Sequence, residues 1–298
     1  MVMNKSIRII GVPMDLGQVH RGVDLGPGAI RYAGLSARLK SLGYEIHDQG
    51  NLDVPVRDSL PGGPECNFLP SIQRVCEETY QAGSKAVAEG FLPVFLGGDH
   101  SISIGTIGGI THSEPTGVLW IDAHGDFNTP ESSRSGNIHG MPLATLLGKG
   151  YPQLVDVGRP GAKLTATDVV MIGIRELDSE EQKQLRQSGI TVYTMRDIDE
   201  RGMGTVTREA LEKLAHRNRI HISLDVDGLD PHEAPGVGTP SPGGLTYREA
   251  QLLMEILADS RKVTSADIVE INPILDHANR TARMAVDLAA SLFGKSIL

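Results

Sequence analysis

Cysteine is scarce in this sequence of 298 residues, which has only Cys66 and Cys76 and no Cys-x-x-Cys pair. A disulfide framework needs several cysteines at suitable spacings, and a thiolate zinc site needs them in close pairs. Neither kind of site is therefore expected to organise the fold. Two isolated thiols are typical of a reduced, cytoplasmic protein, and this is the location that we predict.

Long apolar runs are also missing. The chain begins Met-Val-Met-Asn-Lys-Ser, and the apolar segment that follows at residues 7–10 is too short for the core of a signal peptide. No later stretch approaches the roughly 20 apolar residues that a membrane span needs. We expect a soluble protein with no membrane partner.

Basic clusters and phosphate-binding glycine motifs are absent as well. The formal net charge is -9 and no dense run of Lys or Arg occurs, which disfavours a nucleic-acid partner. The turn after the first predicted strand, residues 11–17, lacks the Gly-x-Gly-x-x-Gly spacing of dinucleotide-binding proteins, and no Walker-type Gly-Lys-Ser/Thr sequence exists. The expected partner is therefore a small molecule other than a dinucleotide.

The chain does contain a regular alternation of short apolar runs and amphipathic segments. Strands are predicted at residues 7–11, 44–48, 91–96, 117–121, 169–174, 191–193, 220–224 and 266–271. Helices are predicted at residues 29–42, 72–89, 180–188, 207–217, 247–259 and 281–293, and residues 50–70 read as loop. This alternation predicts an α/β fold in which about eight mainly parallel strands are covered by helices on both faces. No linker or repeat divides the chain, so residues 1–298 are predicted to form one domain.

Two acidic runs follow predicted strands. Asp122, His124 and Asp126 come after residues 117–121, and Asp225 and Asp227 come after residues 220–224. Residues two apart in an extended chain point to the same side, and ligands of parallel sheets bind at the carboxyl ends of the strands. A calcium loop is excluded, because the further oxygen ligands of an EF-hand do not follow Asp225 at their spacing.

A sixth candidate ligand, His100, follows the strand at residues 91–96. The complete set of candidate metal ligands is His100, Asp122, His124, Asp126, Asp225 and Asp227. Four carboxylates in one pocket repel one another, and two divalent cations balance their charge. Oxygen-rich ligands with two nitrogens and no sulfur suit Mn²⁺, although this ligand set also admits Co²⁺, Ni²⁺ or Zn²⁺. Water between two such ions ionises near neutral pH, so the sequence predicts metal-assisted hydrolysis.

Four longer segments carry a resemblance to a known family. They read Gly-Gly-Asp-His-Ser at 97–101, Asp-Ala-His-Gly-Asp-Phe-Asn-Thr at 122–129, Ser-Gly-Asn-Ile-His-Gly-Met-Pro at 135–142 and Ser-Leu-Asp-Val-Asp-Gly-Leu-Asp-Pro at 223–231. Together with residues 11–13, 21–27 and 270–273, they resemble the arginase branch of the ureohydrolases over essentially the whole chain. The resemblance implies a three-layer α/β/α fold, two Mn²⁺ ions, and hydrolysis of L-arginine to L-ornithine and urea.

The resemblance also implies roles for individual residues. It assigns the first ion to His100, Asp122, Asp126 and Asp225, and the second to Asp122, His124, Asp225 and Asp227. It makes Asp126 the group that receives and passes on a proton, His139 a proton shuttle to solvent, and Glu270 the partner of the guanidinium group. Family members tend to form trimers or hexamers, so a homo-oligomer is expected.

Substrate specificity is expected in the residues that meet the amino-acid end of arginine. The resemblance assigns the α-carboxylate to Asn128, Ser135 and Asn137, the α-ammonium to Asp178 and Glu181, and a lining position to Thr239. Two positions depart from the family pattern: Arg134 adds a cation to the specificity loop, and Glu176 stands where Asp is common. Arg134 either attracts the substrate carboxylate or points into solvent.

Three alternatives share parts of this pattern. An agmatinase-like or other guanidino-acid amidinohydrolase needs the same metal ligands but not Asn128, Ser135 and Asn137. A metal-binding or regulatory protein without turnover has no evident need for both His139 and Glu270. A deacetylase on a related fold leaves the guanidinium acid unexplained. L-Arginine is therefore the substrate that the sequence favours.

Overall fold

One sheet of eight parallel strands runs through the computed structural model, which describes residues 6–61 and 68–296. The strands are β1 (Ser6–Val12), β2 (Glu45–Asn51), β3 (Leu92–Gly97), β4 (Gly117–Ile121), β5 (Val169–Ile174), β6 (Thr191–Thr194), β7 (Ile220–Asp225) and β8 (Val263–Val269). Their order in the sheet is β2-β1-β3-β8-β7-β4-β5-β6. The prediction of a parallel α/β sheet of about eight strands is confirmed.

Helices cover both faces of this sheet. One face carries α1 (Gly26–Tyr32), α2 (Leu35–Ser41), α8 (Met195–Arg201), α9 (Met203–Lys213), α10 (Tyr247–Asp259) and α11 (Arg280–Leu292). The other carries α3 (Leu69–Ala88), α4 (Ser103–Ile110), α5 (Pro142–Leu146), α6 (Pro152–Val155) and α7 (Ser179–Ser188). The three-layer arrangement is thus present. Within residues 6–61 and 68–296, no helix is long and apolar enough to cross a membrane.

The strands are apolar on both sides because both faces of the sheet are covered. Every residue of β4 and β5 is buried. In β1, Ile7 and Ile9 pack into the cluster under α1 and α2, whereas Ile10 and Val12 pack into the cluster under α3 and α4. Near-continuous apolar strands are expected where a parallel sheet lies between two helical layers.

The predicted helix at residues 29–42 is wrong in one respect, because it is two helices. Gly34 separates α1 from α2 and adopts a left-handed conformation with φ of 92°. Glycine reaches this conformation without the steric penalty of a side chain. The apolar pattern continues across the break, which is why periodicity alone joined the two segments.

Helix α4 was not predicted at all, because it contains three glycines, Gly105, Gly108 and Gly109. These residues allow α4 to pack very close to α3. A Cβ atom at Gly109 would lie 2.4 Å from the carbonyl oxygen of Tyr80, and one at Gly105 would lie 2.5 Å from that of Cys76. Glycine disfavours helices by propensity, so tertiary packing determines this element. The short helices α5, α6 and α8 were not predicted either. Cys66 lies outside the described residues.

Candidate metal centre

The four strands that carry the predicted site are neighbours in the middle of the sheet, in the order β3-β8-β7-β4. His100 follows β3, Glu270 follows β8, Asp225 ends β7, and Asp122 follows β4. Parallel strands bring their carboxyl ends to the same edge, so these side chains converge. Their sequence positions are up to 170 residues apart, as in the contact between His100 and Glu270.

Two groups of metal-ligating atoms meet at this edge. One consists of His100, Asp122 and Asp225, and the other of Asp122, His124 and Asp227; within each group the ligand atoms lie within 4.8 Å of one another. Asp122 belongs to both groups and uses its two oxygens separately. Its Oδ2 lies 3.2 Å from His100 Nδ1, and its Oδ1 lies 3.4 Å from His124 Nδ1. The arrangement therefore offers two adjacent candidate metal-binding groups that share one carboxylate.

The first group also includes Asp126, which the structure brings to the same nitrogen. His100 Nδ1 lies 2.9 Å from Asp126 Oδ2 and 3.0 Å from Asp225 Oδ2. Two ligands at about 2.1 Å from one ion, at a right angle to each other, lie about 3.0 Å apart. His100 Nδ1 and Asp126 Oδ2 are buried and have no hydrogen-bond partner among the described residues. Buried polar atoms are normally satisfied, so this donor set fits a metal ion.

Hydrogen bonds from neighbouring residues to the carboxylate oxygens hold the candidate ligands in place. Trp120 Nε1 donates to Asp122 Oδ2 at 2.9 Å, and the His124 amide donates to Asp122 Oδ1 at 2.7 Å. The indole of Trp120 also stacks on the His100 ring, with ring centroids 4.2 Å apart. Thr239 Oγ1 donates to Asp227 Oδ2 at 2.9 Å. Such outer contacts fix the rotamers of metal ligands.

A buried polar network lies behind His100, away from the cation positions. Its Nε2 is 2.9 Å from Ser223 Oγ, which in turn donates to Asp267 Oδ1 at 2.6 Å. Asp267 also accepts hydrogen bonds from Ser103 and Thr106 and pairs with His221. Burial raises the pKa of the Asp267 carboxyl, but His221, His100 and the hydrogen bond from Ser223 overcome that effect and lower it to about 2. The network ties one histidine ligand to strands β7 and β8.

Burial and neighbouring charges shift the pKa values of the candidate ligands. Burial lowers the pKa of His100, but Asp126 and the other facing carboxylates overcome it and hold that pKa well above its ordinary value. Burial and the neighbouring charge of Asp122 raise the pKa of Asp126 to about 6, and burial with the charge of Asp227 raises that of Asp225. The facing carboxylates thus favour positive charge on His100 and disfavour a further negative charge on Asp126 and Asp225.

Backbone conformation at the site is unusual at two positions. Asp126 has φ of 48° and Glu270 has φ of 65°, both in the left-handed region that non-glycine residues rarely adopt. Backbone amides of Leu143 and Ala144 donate to the Asp126 carbonyl, and the Glu270 amide donates to Gly98. Strained conformations of this kind persist where the surroundings impose them, and they are common at functional sites.

Comparison with known proteins identifies the family. Residues 5–294 match the family model described as the Arginase family. The arginase of Bacillus subtilis (strain 168) is 50% identical over 298 residues, which cover 99% of this chain and 100% of that protein. The crystal structure of Bacillus caldovelox arginase superposes with a TM-score of 0.95 at 50% identity, covering 99% of this chain and 100% of that one. Entamoeba histolytica arginase in complex with L-ornithine gives a TM-score of 0.90 at 33% identity, covering 98% and 99%.

The chain belongs to the arginase family. The family identifies it as a hydrolase that acts on the guanidino C–N bond, and the two groups of carboxylates and histidines provide candidate metal-binding sites for that chemistry. The family resemblance inferred from the sequence motifs is thereby confirmed.

A pocket of about 240 Å³ opens beside the candidate metal ligands. It is lined by His124, Asp126, Asn128, His139, Gly140, Glu176, Asp178, Glu181, Asp225, Asp227 and Thr239. Nine of these eleven residues were predicted from the sequence as site residues; the others are Gly140 and Glu176, and Glu176 was noted as a departure from the family pattern. His100 and Asp122 lie below the floor of this pocket and are fully buried.

Asp178 has two roles in the structure. It precedes α7 and caps that helix, because its Oδ1 accepts hydrogen bonds from the amides of Glu180 and Glu181. Its Oδ2 accepts a hydrogen bond from Asn128 Nδ2 at 3.1 Å. The predicted carboxylate and ammonium contacts, Asn128 and Asp178, are thus adjacent at the pocket wall.

Glu181 is more deeply placed than its predicted role suggests. Its Oε1 accepts a hydrogen bond from the Phe127 amide at 2.9 Å, and its carboxylate packs against Gly125, where a Cβ atom would approach to 2.6 Å. Burial raises the pKa of the Glu181 carboxyl to about 8. Glu181 therefore supports the loop between His124 and Asp126 as well as lining the pocket.

Three further predicted residues do not line this pocket. Ser135 and Asn137 line a neighbouring cavity of about 800 Å³ that also contains Gln18 and Arg57. Glu270 is buried beside His139, whose Nδ1 lies 3.0 Å from Glu270 Oε1. Burial lowers the pKa of His139, but the charge of Glu270 overcomes it and raises that pKa to about 9. The roles of these three residues toward substrate stay predictions.

The sequence interpretation missed the residues that support the site: Gln18, Trp120, Arg175, Ser223 and Asp267. Arg175 Nη1 and Nη2 donate to the carbonyl oxygens of Gly228, Asp227 and Leu229, so this half-buried cation holds the loop after β7. Trp120, Ser223 and Asp267 lie within strands, where they read as ordinary strand residues. A polar residue in an otherwise apolar buried strand, as in Ser223 and Asp267, is the signal that was available.

Proposed function

We propose that this protein hydrolyses L-arginine to L-ornithine and urea with two Mn²⁺ ions. The observation that carries the proposal is the pair of carboxylate–histidine groups that share Asp122. Its support is the family membership and the likeness to an arginase solved in complex with L-ornithine. A guanidinium is a delocalised cation that resists nucleophilic attack, so two adjacent divalent ions suit this substrate.

The metal ligands follow from the donor set. We assign the first ion to His100, Asp122, Asp126 and Asp225, and the second to Asp122, His124, Asp225 and Asp227. Mn²⁺ matches six ligands that offer oxygen and imidazole nitrogen, and Co²⁺ or Ni²⁺ can substitute for it. When bound, the ions lower the pKa of a water molecule so that it becomes a nucleophile near neutral pH.

Asp126 moves the proton in this proposal. Asp126 lines the pocket, and its Oδ2 is buried with no hydrogen-bond partner in the described part of the chain. The carboxylate accepts the proton that the attacking nucleophile releases. It then donates that proton to the δ-nitrogen of ornithine as the bond from this nitrogen to the guanidinium carbon breaks, and the carbon leaves in urea.

We assign two further roles in the reaction to His139 and Glu270. His139 lines the pocket while its Nδ1 contacts Glu270, so its other nitrogen is directed toward exchange with solvent. We assign to it the transfer of protons between pocket and solvent. Glu270 supplies a buried carboxylate that pairs with the guanidinium group.

The polar rim of the pocket supports arginine over a substrate without an α-carboxylate. Asn128 and Asp178 lie next to each other and offer an amide and a carboxylate to the α-carboxylate and α-ammonium. We also assign substrate contacts to Ser135, Asn137, Glu181 and Thr239. An agmatinase-like enzyme uses the same metal ligands and has no need of a carboxylate site, and the full-length likeness to arginases does not favour it.

A paired assay tests the proposal. The protein is loaded with Mn²⁺, and urea is measured after addition of L-arginine and, separately, of agmatine. We expect urea from L-arginine and at least 100-fold less from agmatine at equal concentration. Comparable turnover of agmatine contradicts the specificity argument, and absence of urea from both contradicts the proposed activity.

We further propose that residues 1–298 act as one catalytic domain in a cytoplasmic homo-oligomer, a trimer or a hexamer. The single sheet that contains all eight described strands supports one domain. The tendency of family members to form trimers or hexamers supports the oligomer. Sedimentation equilibrium checks it, because a monomer at micromolar concentration contradicts the oligomer.

A further inference from the structure

The amide of Gln18 occupies an unusual buried position beside Glu270. Gln18 is 2% exposed, and its Nε2 donates a hydrogen bond to Glu270 Oε2 at 2.7 Å. Its Oε1 is buried and has no partner within the described ranges. A buried amide oxygen without a partner is destabilising, so some other requirement keeps the side chain in this orientation.

That requirement is a hydrogen-bond donor for the Glu270 carboxylate. If the amide were turned over, its oxygen would face Glu270 Oε2, and two acceptors would repel each other. Glu270 Oε1 is held separately, by the His100 amide at 2.9 Å and by His139 Nδ1 at 3.0 Å. Within the described chain, Gln18 is the group that donates to Oε2. The plane of the carboxylate is therefore fixed by donors at both oxygens, and one of these donors is Gln18.

The backbone around Gln18 is itself held from several sides. Arg57 Nη1 donates to the Gln18 carbonyl at 2.7 Å, and the Gly17 amide donates to Asp99 Oδ2 at 2.7 Å. The Gly17 carbonyl accepts a hydrogen bond from the His139 amide. The segment that carries Gln18 is thus bonded both to the strand-end loop of His100 and to the loop of His139.

The pair also borders the segment that enters the pocket. A Cβ atom at Gly238 would lie 3.0 Å from Gln18 Oε1 and 3.8 Å from Glu270 Oε2. The next residue, Thr239, lines the pocket and donates to Asp227. The absence of a side chain at Gly238 therefore lets the Gln18 amide and the Glu270 carboxylate lie directly against this wall.

We propose that Gln18 is a positioning residue that fixes the Glu270 carboxylate and, through it, the guanidinium group of the substrate. This inference rests on the proposed arginine hydrolysis. A carboxylate binds a guanidinium best when both oxygens meet the planar N–H pair, which requires a fixed plane. Loss of that alignment displaces the guanidinium carbon from the line of attack, and small displacements of this kind reduce rates strongly.

The test uses two ligands that differ at one end. L-Arginine and L-ornithine share the α-carboxylate and α-ammonium, but ornithine lacks the guanidinium group. In the Mn²⁺-loaded protein, we expect Gln18→Met to lower kcat/KM for arginine by about tenfold or more, with KM raised. The dissociation constant of ornithine, measured by calorimetry, is expected to stay within about twofold, because no guanidinium is involved.

Gln251 provides a matched control. It is also a buried glutamine whose Nε2 donates to one neighbour, Ser291, while its Oε1 has no partner in the described residues. It lies on α10, contacts α11 through Ser291, and is outside the pocket lining. Gln251→Met is expected to change neither arginine turnover nor ornithine binding. Gln18→Asn, whose shorter amide does not reach Glu270, serves as a second variant if Gln18→Met folds poorly.

The outcomes separate the two proposals. Equal weakening of arginine and ornithine in the Gln18 variants means that Gln18 only supports the fold of the pocket, and it overturns the positioning role. Unchanged arginine kinetics in a folded Gln18 variant overturns it as well. Failure of the unaltered Mn²⁺-loaded protein to hydrolyse arginine overturns the proposed function instead.

Discussion

His100 Nδ1 lies 2.9 Å from Asp126 Oδ2, yet neither atom forms a hydrogen bond with any described residue. The separation matches two ligands of one ion, and the orientation does not match a donor facing an acceptor. The same nitrogen lies 3.0 Å from Asp225 Oδ2. A buried histidine nitrogen that faces several carboxylate oxygens in this way is best explained as a ligand whose partner is a metal ion.

The shared position of Asp122 predicts different metal losses for two substitutions. Asp122→Asn removes a carboxylate common to both groups, so we expect less than about 0.3 Mn²⁺ per chain after dialysis. Asp227→Asn affects only the group around His124, and we expect about one ion to remain. Elemental analysis of the dialysed proteins measures both values. Asp287→Asn, at a partly exposed position on α11, is the control and should keep two ions; retention of two ions by Asp122→Asn contradicts the shared carboxylate.

The double role of Asp178 can be separated with two substitutions. Asparagine is as good a helix N-cap as aspartate, so Asp178→Asn should leave thermal stability nearly unchanged while KM for L-arginine rises about tenfold. Asp178→Ala also removes the cap of α7 and should lose about 1 kcal/mol of stability in addition. Steady-state kinetics and thermal denaturation of both variants measure these effects. An unchanged KM in Asp178→Asn would show that the residue acts on the helix alone.

Packing between α3 and α4 predicts opposite effects of two glycine substitutions. Gly109→Ala places a Cβ atom 2.4 Å from the Tyr80 carbonyl oxygen, and we expect a loss of about 1–3 kcal/mol in the free energy of unfolding. Gly28, on α1, has no atom within 4 Å of such a Cβ, so Gly28→Ala should stabilise by about 0.5–1 kcal/mol. Urea denaturation of both variants checks the pair. Equal effects would mean that helix propensity, rather than close packing, governs α4.

Much of the fold could be predicted from the sequence, because buried parallel strands have a simple signature. The bounds of β4 and β5 agree with residues 117–121 and 169–174. The sheet order could not be predicted, since nothing local states that β8 lies between β3 and β7. The metal-ligand candidates could be predicted because they follow strands in a local sequence pattern. The contact of Gln18 with Glu270 joins positions 252 residues apart and has no local signal.

The buried carboxylate of Asp168 predicts a pH-dependent contribution to stability. Burial raises its pKa, but hydrogen bonds from Arg217, Thr165 and His216 overcome this and lower it to about 2, from an ordinary value of 3.8. A carboxyl whose pKa is lower in the folded state stabilises the fold above pH 3.8, and the contribution is lost as the pH falls toward 2.

Removing Arg217 should remove most of that contribution. We expect Arg217→Met to lower the free energy of unfolding by about 1–3 kcal/mol at pH 7, and the difference from the unaltered protein to shrink between pH 4 and pH 2. Arg219→Met is the control, because Arg219 pairs with the exposed Glu114 at 3.5 Å and should contribute less than about 1 kcal/mol. Urea denaturation across this pH range measures both; a difference that stays constant with pH contradicts the role of Asp168.

Titration of Mn²⁺ into the metal-free protein determines whether a binuclear centre hydrolyses arginine. Bound ions per chain and the rate of urea release from L-arginine are measured on the same samples. We predict saturation at two ions per chain, with urea release that follows occupancy of the second position. Full activity at one ion per chain, or no urea release at two, would rule out a binuclear arginine-hydrolysing centre.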